Sequence, residues 1–223
     1  MKKIDRRKTY ICVLDTETCP IVKDEKVDPK NMLVYDIGYQ IIDKKGNIYK
    51  QRSFIVNEIF FGEYEKMLSS YYANKLPQYF QDLGNGTRQR KNFKDIMNIF
   101  KEDLKEYNCK IVCAHNAYFD YKSLKTTINY LNYEKAYFFP YNIEFWDSMK
   151  MARSTICKNK TYKYYTTNGR KSATAENLYK YISHNENFVE SHTGLEDVLI
   201  ESVILVKCLS YHKKMNKRLF ANK

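Results

Sequence analysis

Asp15 and Glu17 follow an apolar run, Tyr10-Ile11-Cys12-Val13-Leu14, and at a spacing of two on an extended chain their side chains project to the same side. Two carboxylates held that close disfavour each other's ionisation unless a cation lies between them. The economical occupant is a divalent metal ion at the carboxyl end of a strand. Asp-x-Glu alone is a weak pattern, so the reading depends on further acids. A second apolar run, Lys110-Ile111-Val112-Cys113-Ala114, leads into His115-Asn116-Ala117-Tyr118-Phe119-Asp120. A third segment, His192-Thr193-Gly194-Leu195-Glu196-Asp197, opens a stretch with Leu195, Val198, Leu199, Ser202, Val203, Val206 and Leu209 at helical spacing. If His192 stands just before the first turn, Asp197 faces a cleft and the imidazole closes over it. Three separated segments thus offer Asp15, Glu17, Asp120, Asp197 and one histidine. An oxygen-rich set of this kind suits a hard cation such as Mg²⁺, which takes a few carboxylates together with substrate phosphates and water.

The elements that must carry these residues alternate in type. Strands are expected at about Tyr10 to Asp15, Met32 to Asp43 and Ile48 to Val56, the last two joined by the turn Lys44-Lys45-Gly46-Asn47. A polar loop, Val22 to Asn31, separates the first two. Helical material follows from about Glu58 to Tyr72, and Gly84-Asn85-Gly86 reads as a loop. Phe93, Ile96, Met97, Phe100, Leu104 and Tyr107 trace an amphipathic helix. After the strand before His115 come a helix from Phe119 to Leu131 and a short strand near Ile143 to Trp146. Thr174-Ala175-Glu176-Asn177 opens a helix, and the last helix runs from about Thr193 to His212. Strands alternating with helices after an opening hairpin predict an α/β fold, a mixed sheet with helices packed on it. No repeat, low-complexity stretch or long linker interrupts it, so residues 1–223 read as one domain, with a core of about 8–213 and basic tails at both ends.

Composition narrows the class of function. With 43% hydrophobic and 29% charged residues, the chain has the balance of a soluble globular protein. No apolar stretch approaches the ~20 residues needed to cross a bilayer. The basic N-terminus lacks the apolar segment of a secretory signal, so a cytoplasmic location is expected. Six cysteines lie scattered, with Cys12 and Cys113 inside apolar runs, and read as reduced core residues rather than bridges or zinc ligands. The seven glycines form no phosphate-cradling loop, which disfavours a P-loop hydrolase, and no Gly-x-Ser-x-Gly elbow is present. The net charge of +12 gathers at the N-terminus, Arg88 to Lys94, Lys158 to Lys171 and Lys213 to Arg218. A basic surface around an acid-lined site fits an enzyme that grips a polyanion by its phosphates and cuts it with its acids.

These motifs resemble the DEDD superfamily of 3′–5′ exonucleases in its histidine-containing, DEDDh branch. The first motif is Leu14-Asp15-Thr16-Glu17-Thr18, the second Ala114-His115-Asn116-Ala117-Tyr118-Phe119-Asp120, and the third His192 with Asp197. Val34-Tyr35-Asp36-Ile37-Gly38, Trp146-Asp147-Ser148 leading to Met151-Ala152-Arg153, and Glu176-Asn177-Leu178-Tyr179 are secondary matches, so the resemblance runs from about Tyr10 to Leu209. Cys19-Pro20 stands where many relatives carry Thr-Gly, and Gly194 where Ala is common. The resemblance implies a ribonuclease H-like mixed sheet with an opening antiparallel hairpin and helices on both faces. It implies two Mg²⁺ ions, with Mn²⁺ able to substitute. Asp15, Glu17 and Asp197 would bind one ion, Asp15 would also touch the second, and Asp120 would assist through water. His192 would be the general base, and His115 a packing or hydrogen-bonding residue.

The expected reaction is release of nucleoside 5′-monophosphates from single-stranded 3′ ends. DNA is favoured over RNA because the chain is longer than a minimal short-RNA trimmer and carries basic patches. The alternatives are an exoribonuclease of the oligoribonuclease or ribonuclease T type, or a non-catalytic nucleic-acid-binding accessory subunit of a polymerase. A replicative polymerase or other replication protein is the protein partner such a role implies, although no short clamp-docking motif is present. Thr16 and Thr18, beside the metal strand, are expected to grip the terminal nucleotide, with Phe119 as a wedge against its base. In Lys158-Asn159-Lys160-Thr161-Tyr162-Lys163-Tyr164-Tyr165, continuing to Arg170, basic and aromatic residues interleave. Lys158, Lys160, Lys163 and Arg170 are therefore candidates for single-strand contacts, with an ordinary solvated loop as the competing reading.

Overall fold

In the computed structural model, residues 4–23, 27–70, 73–133 and 135–220 are described. Six strands form one sheet: β1 (Tyr10–Pro20), β2 (Met32–Asp43), β3 (Ile48–Val56), β4 (Gln89–Lys91), β5 (Ile111–Ala114) and β6 (Glu144–Asp147), in the order β4-β3-β2-β1-β5-β6. The opening strands β1, β2 and β3 pair antiparallel, whereas β5 runs parallel to β1, β6 to β5, and β4 to β3. The helices are α1 (Asn57–Phe60), α2 (Tyr64–Leu68), α3 (Leu76–Asn85), α4 (Phe93–Glu106), α5 (Tyr118–Tyr130), α6 (Ser148–Ser154), α7 (Ala175–Ser183) and α8 (Gly194–Ser210).

Alternation along β1 divides the interior into two layers. Cys12 and Leu14 pack with Phe100 of α4 and Leu124 of α5, while Ile11 and Val13 pack with Met151 of α6, Leu178 of α7 and Val198 and Ile204 of α8. Continuing that period, Thr16 faces the α5 layer, and Asp15 and Glu17 face α8. Helices therefore cover both faces, as expected. Parallel pairing of β1 with β5 ends at Val13, but β1 runs on to Pro20 against β2, with a register shift at Glu17/Thr18. The paired acids thus sit on a strand that outruns its parallel neighbour, not at a strand end. The bulge lies where such irregularities re-aim side chains.

β2, β3, α4, α5, β6 and α7 fall within a residue or two of expectation. The stretch from Glu58 divides into α1 and α2, and its far end at Tyr72 lies outside the described residues. Gly84 and Asn85 belong to the last turn of α3, which Gly86 ends at φ +77°. Helix α3 and the short edge strand β4 are unanticipated, because glycines near a helix C-terminus read locally as loop. The C-terminal segment is not a loose tail. Asp147 N–H donates to Lys217 O at 2.7 Å and Leu219 N–H to Phe145 O at 2.8 Å, and the Phe220 ring packs on Tyr121. This segment covers the edge of β6, where unpaired backbone groups would otherwise be open to other chains. All six cysteines are free and buried. Among the described residues no helix is long and apolar enough to cross a membrane.

Candidate active site

Four segments converge beside β1. A carboxylate oxygen from each of Asp15, Glu17 and Asp197 lies within 4.8 Å of the other two. Glu190, His192 and Asp197 meet within the same limit, so Asp197 joins the two groups. Asp197 is in the first turn of α8, and His192, just before it, adopts a left-handed backbone at φ +54°. Asp120, in the first turn of α5, stands slightly apart from the triad and is fixed to the same strand. Its Oδ1 accepts the Thr16 N–H at 3.1 Å and the Thr16 hydroxyl at 2.8 Å.

Among the described residues no lysine or arginine forms an ion pair with these acids. Asp15 Oδ2 and Asp197 Oδ1 are buried with no hydrogen-bond partner among the described residues, as is Oε2 of Glu201 on the same helix. Burial, and then the neighbouring acids, hold Asp15 and Glu17 well above the usual carboxylate range. Burial raises Asp197 to about 8, Glu190 to about 7, and Asp120 to about 7 against the lowering effect of the Thr16 bonds. Orphaned oxygens and mutual repulsion describe a site that a hard divalent cation fits, since the donors are almost all carboxylate. Asp15, Glu17 and Asp197 would hold it. Burial lowers the His192 pKa, which leaves its imidazole neutral and able to accept a proton near neutral pH.

A close backbone crossing positions α8. A Cβ on Gly38 of β2 would lie 2.3 Å from the backbone of Gly194, and one on Gly194 would lie 2.9 Å from Gly38 N. Gly194 thus stands where two backbone segments touch and no Cβ fits. The Gly194 N–H donates to Asp36 Oδ2 at 2.9 Å, and that carboxylate also takes Arg88 Nη1 and the Tyr79 hydroxyl, each at 2.9 Å. His115 braces the neighbouring strands, bonding Ser148 Oγ at 2.8 Å through Nδ1 and Ala173 O at 2.7 Å through Nε2.

The expected substrate contacts divide. The Thr16 hydroxyl and N–H both donate to Asp120. Thr18 and Phe119 are half-buried. Lys158 and Arg170 line a cavity of about 670 Å³ together with Arg153, Lys171 and Ala173. No acid lines that cavity, and its Ala173 carbonyl is the one that binds His115. Lys160 is exposed outside it, and Lys163 is paired with Glu186 at 2.9 Å. Sequence reasoning missed Glu190, Glu201 and Arg153. Glu201 was accessible in principle, being one helical turn beyond Asp197, whereas Glu190 and Arg153 carry no periodic signal.

No family model and no curated protein matches the chain. Solved structures do. A full-length 3′-exonuclease superposes with a TM-score of 0.63 at 14% identity, covering 96% of this chain and 88% of that one. The nuclease domain of 3′hExo, a DEDDh family member bound to rAMP, gives 0.55 at 12%, covering 96% and 100%. The fold is that of the DEDDh 3′-exonucleases. Exonuclease I of E. coli in complex with a dA16 oligonucleotide shares this exonuclease fold with a TM-score of 0.55 at 13% identity, over 92% of this chain and 43% of that chain. At these identities the likeness is one of architecture, a ribonuclease H-like α/β sheet with helices on both faces.

Proposed function

We propose that this chain is a metal-dependent 3′–5′ exonuclease that releases nucleoside 5′-monophosphates from single-stranded ends, with DNA the favoured polymer. One observation carries the reading: Asp15, Glu17 and Asp197 converge within 4.8 Å, with His192 within the same distance of Asp197, in a DEDDh-type fold. Asp15, Glu17 and Asp197 would hold one divalent ion, and Asp15 with Asp120 would serve a second. Ions bound there supply Lewis acidity, for activation of water and for stabilisation of the leaving 3′ oxygen. The chain's own residues do the rest. Thr16 fixes the Asp120 carboxylate, so the charge that α5 contributes keeps one orientation. The neutral His192 imidazole takes the proton of the attacking water, and its place before the first turn of α8 keeps it beside Asp197. Arg153, Lys158, Arg170 and Lys171 would hold phosphates upstream of the scissile bond, adding affinity without reading sequence.

The test offers 5′-labelled DNA and RNA oligomers, single- and double-stranded, with Mg²⁺ or Mn²⁺, and sizes the products over time. A ladder shortening from the 3′ end, with mononucleotides as the released product, supports the reading. Rapid cutting of a closed circular single strand would point to an endonuclease, and full activity in excess EDTA would end the metal-dependent reading. Faster shortening of the RNA arm would move the assignment to an exoribonuclease.

A further inference from the structure

A second set of ligand atoms lies beside the acid triad and differs from it in kind. One carboxylate oxygen of Glu190, one ring nitrogen of His192 and one carboxylate oxygen of Asp197 all lie within 4.8 Å of one another. Backbone hydrogen bonds hold the set in place. The Glu190 carboxylate takes the Glu176 N–H in the first turn of α7, and the Glu190 N–H returns to Glu176 Oε2 at 3.2 Å. His192 sits at φ +54°, and its N–H hydrogen-bonds the Asp197 carboxylate. Asp197 still keeps one oxygen, Oδ1, with no hydrogen-bond partner among the described residues, in a residue only 5% exposed.

Ligand chemistry separates the two sets. Asp15, Glu17 and Asp197 offer oxygen alone, the donor that Mg²⁺ prefers. Glu190, His192 and Asp197 offer one imidazole nitrogen and two carboxylates. Three protein ligands of that mixture suit a borderline ion such as Zn²⁺, which commonly adds a water as its fourth. We propose that Glu190, His192 and Asp197 form a transition-metal site that takes Zn²⁺ in preference to Mg²⁺, sharing only Asp197 with the oxygen-only set. An ion held there engages the imidazole, so Zn²⁺ at this site stops turnover by occupying the proton acceptor. The binding stands on the geometry of the three ligands, whereas the inhibition rests on the role of His192 proposed above.

The experiment separates the two sets by their metals, in the absence of nucleic acid. The full chain is stripped with EDTA and dialysed. Zn²⁺ binding is measured in competition with a chromophoric chelator, and Mn²⁺ binding by the electron paramagnetic resonance signal of the free ion. Glu190→Gln should weaken Zn²⁺ binding by at least ~10-fold, the least that loss of even an outer partner commonly costs a metal site, and should leave Mn²⁺ binding close to unaltered. Asp15→Asn should do the opposite. His192→Gln should weaken Zn²⁺ as Glu190→Gln does, and it carries the test if the Glu190 variant fails to fold. Unchanged Zn²⁺ affinity in both variants would overturn the proposal. Zn²⁺ affinity governed by Glu190 in a chain that takes up no Mn²⁺ would support this site and overturn the Mg²⁺-dependent reading instead. In the Mg²⁺-supported reaction, Zn²⁺ should inhibit at the concentration that fills the site. A filled site with turnover intact would overturn the inhibition, and with it His192 as the base.

Discussion

Two groups of acids lie against the start of α8, and they are balanced in opposite ways. At the β2 side, Asp36, Asp82 and Glu196 surround Arg88, whose Nη1, Nε and Nη2 reach them at 2.9, 2.9 and 2.5 Å. The Arg88 side chain is 2% exposed and also lies 4.9 Å from the centre of the Tyr79 ring. At the β1 side, Glu17, Asp120, Asp197 and Glu201 are buried and Asp15 is half-buried, and none has a lysine or arginine ion-pair partner among the described residues. Burying a charge is costly in both places. The first group carries its own cation in the chain and helps to fix α8 on the sheet, although Asp36 Oδ1 has no hydrogen-bond partner among the described residues and burial still raises the Asp36 pKa. The second has no such cation among the described residues, so its acids hold protons or take a counter-charge from outside.

The strongest way to break the contrast is to neutralise one acid in each group's logic and compare the outcomes. Asp15→Asn should abolish nuclease turnover while leaving the metal-free protein at least as stable as before, because it removes an uncompensated charge. Arg88→Met should do the reverse to stability. It strands Asp36 in the interior and should lower unfolding free energy by about 3–5 kcal/mol in urea titrations. Equal destabilisation by both substitutions would erase the distinction. Within the open group, His192→Gln should cost roughly 10²–10⁴-fold in turnover, with Mn²⁺ affinity largely kept, since it removes a proton acceptor and not a carboxylate. Loss of metal binding in His192→Gln would make the imidazole a ligand.

Much of this was legible in the chain because it is local. The Asp15-Glu17 spacing, Asp120 in the first turn of a helix after a strand, and Asp197 beyond His192 each follow from a period of two or of 3.6. The β2–β3 hairpin announces itself through its turn. What escaped reading depends on long-range geometry. That β1 outruns β5 is set by where β5 stops, about a hundred positions away in the sequence. Thr16 looks free in sequence and is spent on Asp120 in space. Arg88 sits in a basic cluster that reads as surface, yet it is the most deeply enclosed cation of the α8 anchor. Glu201 hides in an apolar run, where an acid reads as a stray polar residue until its neighbours are known. Gly194 is understood only once Gly38 is opposite it.

A smaller effect should appear in the pH dependence of the metal-free protein. Asp120 at about 7 and Asp197 at about 8, with Asp15 and Glu17 also raised by burial, hold protons in the folded state that unfolded carboxylates lose near pH ~4. Between those limits the folded state binds more protons than the unfolded one, so stability falls as pH rises. Thermal unfolding in EDTA should therefore show Tm declining from about pH 5 to about pH 8. Saturating Mg²⁺ should flatten that decline, because a bound cation favours the ionised acids. A metal-free Tm that climbs over the same range would mean that charges within the fold already offset these acids.

The smallest expected effect concerns a third charged group, the mirror image of the acid site. Arg153, Lys158 and Arg170 face a cavity of about 670 Å³ with no acid in its lining, so this positive charge is as open as the negative charge beside β1. If its balance comes from a strand of nucleic acid, each phosphate held there releases a counterion, and affinity should fall with salt accordingly. Replacing Arg153, Lys158 and Arg170 together by alanine should flatten the salt slope of single-strand binding by about 2, at about 0.7 per charge. Turnover at saturating substrate should change little, since none of the acids beside β1 lines this cavity. Replacing Lys160 and Lys163 instead should change the slope less, because one stands outside the cavity and the other is already paired with Glu186. The comparison needs oligomers long enough to span both places, with binding measured in Ca²⁺ to suppress cutting. Equal slopes for the two sets would reduce the cavity to solvated surface, and a slope change confined to the cavity set would make it the docking place of the strand.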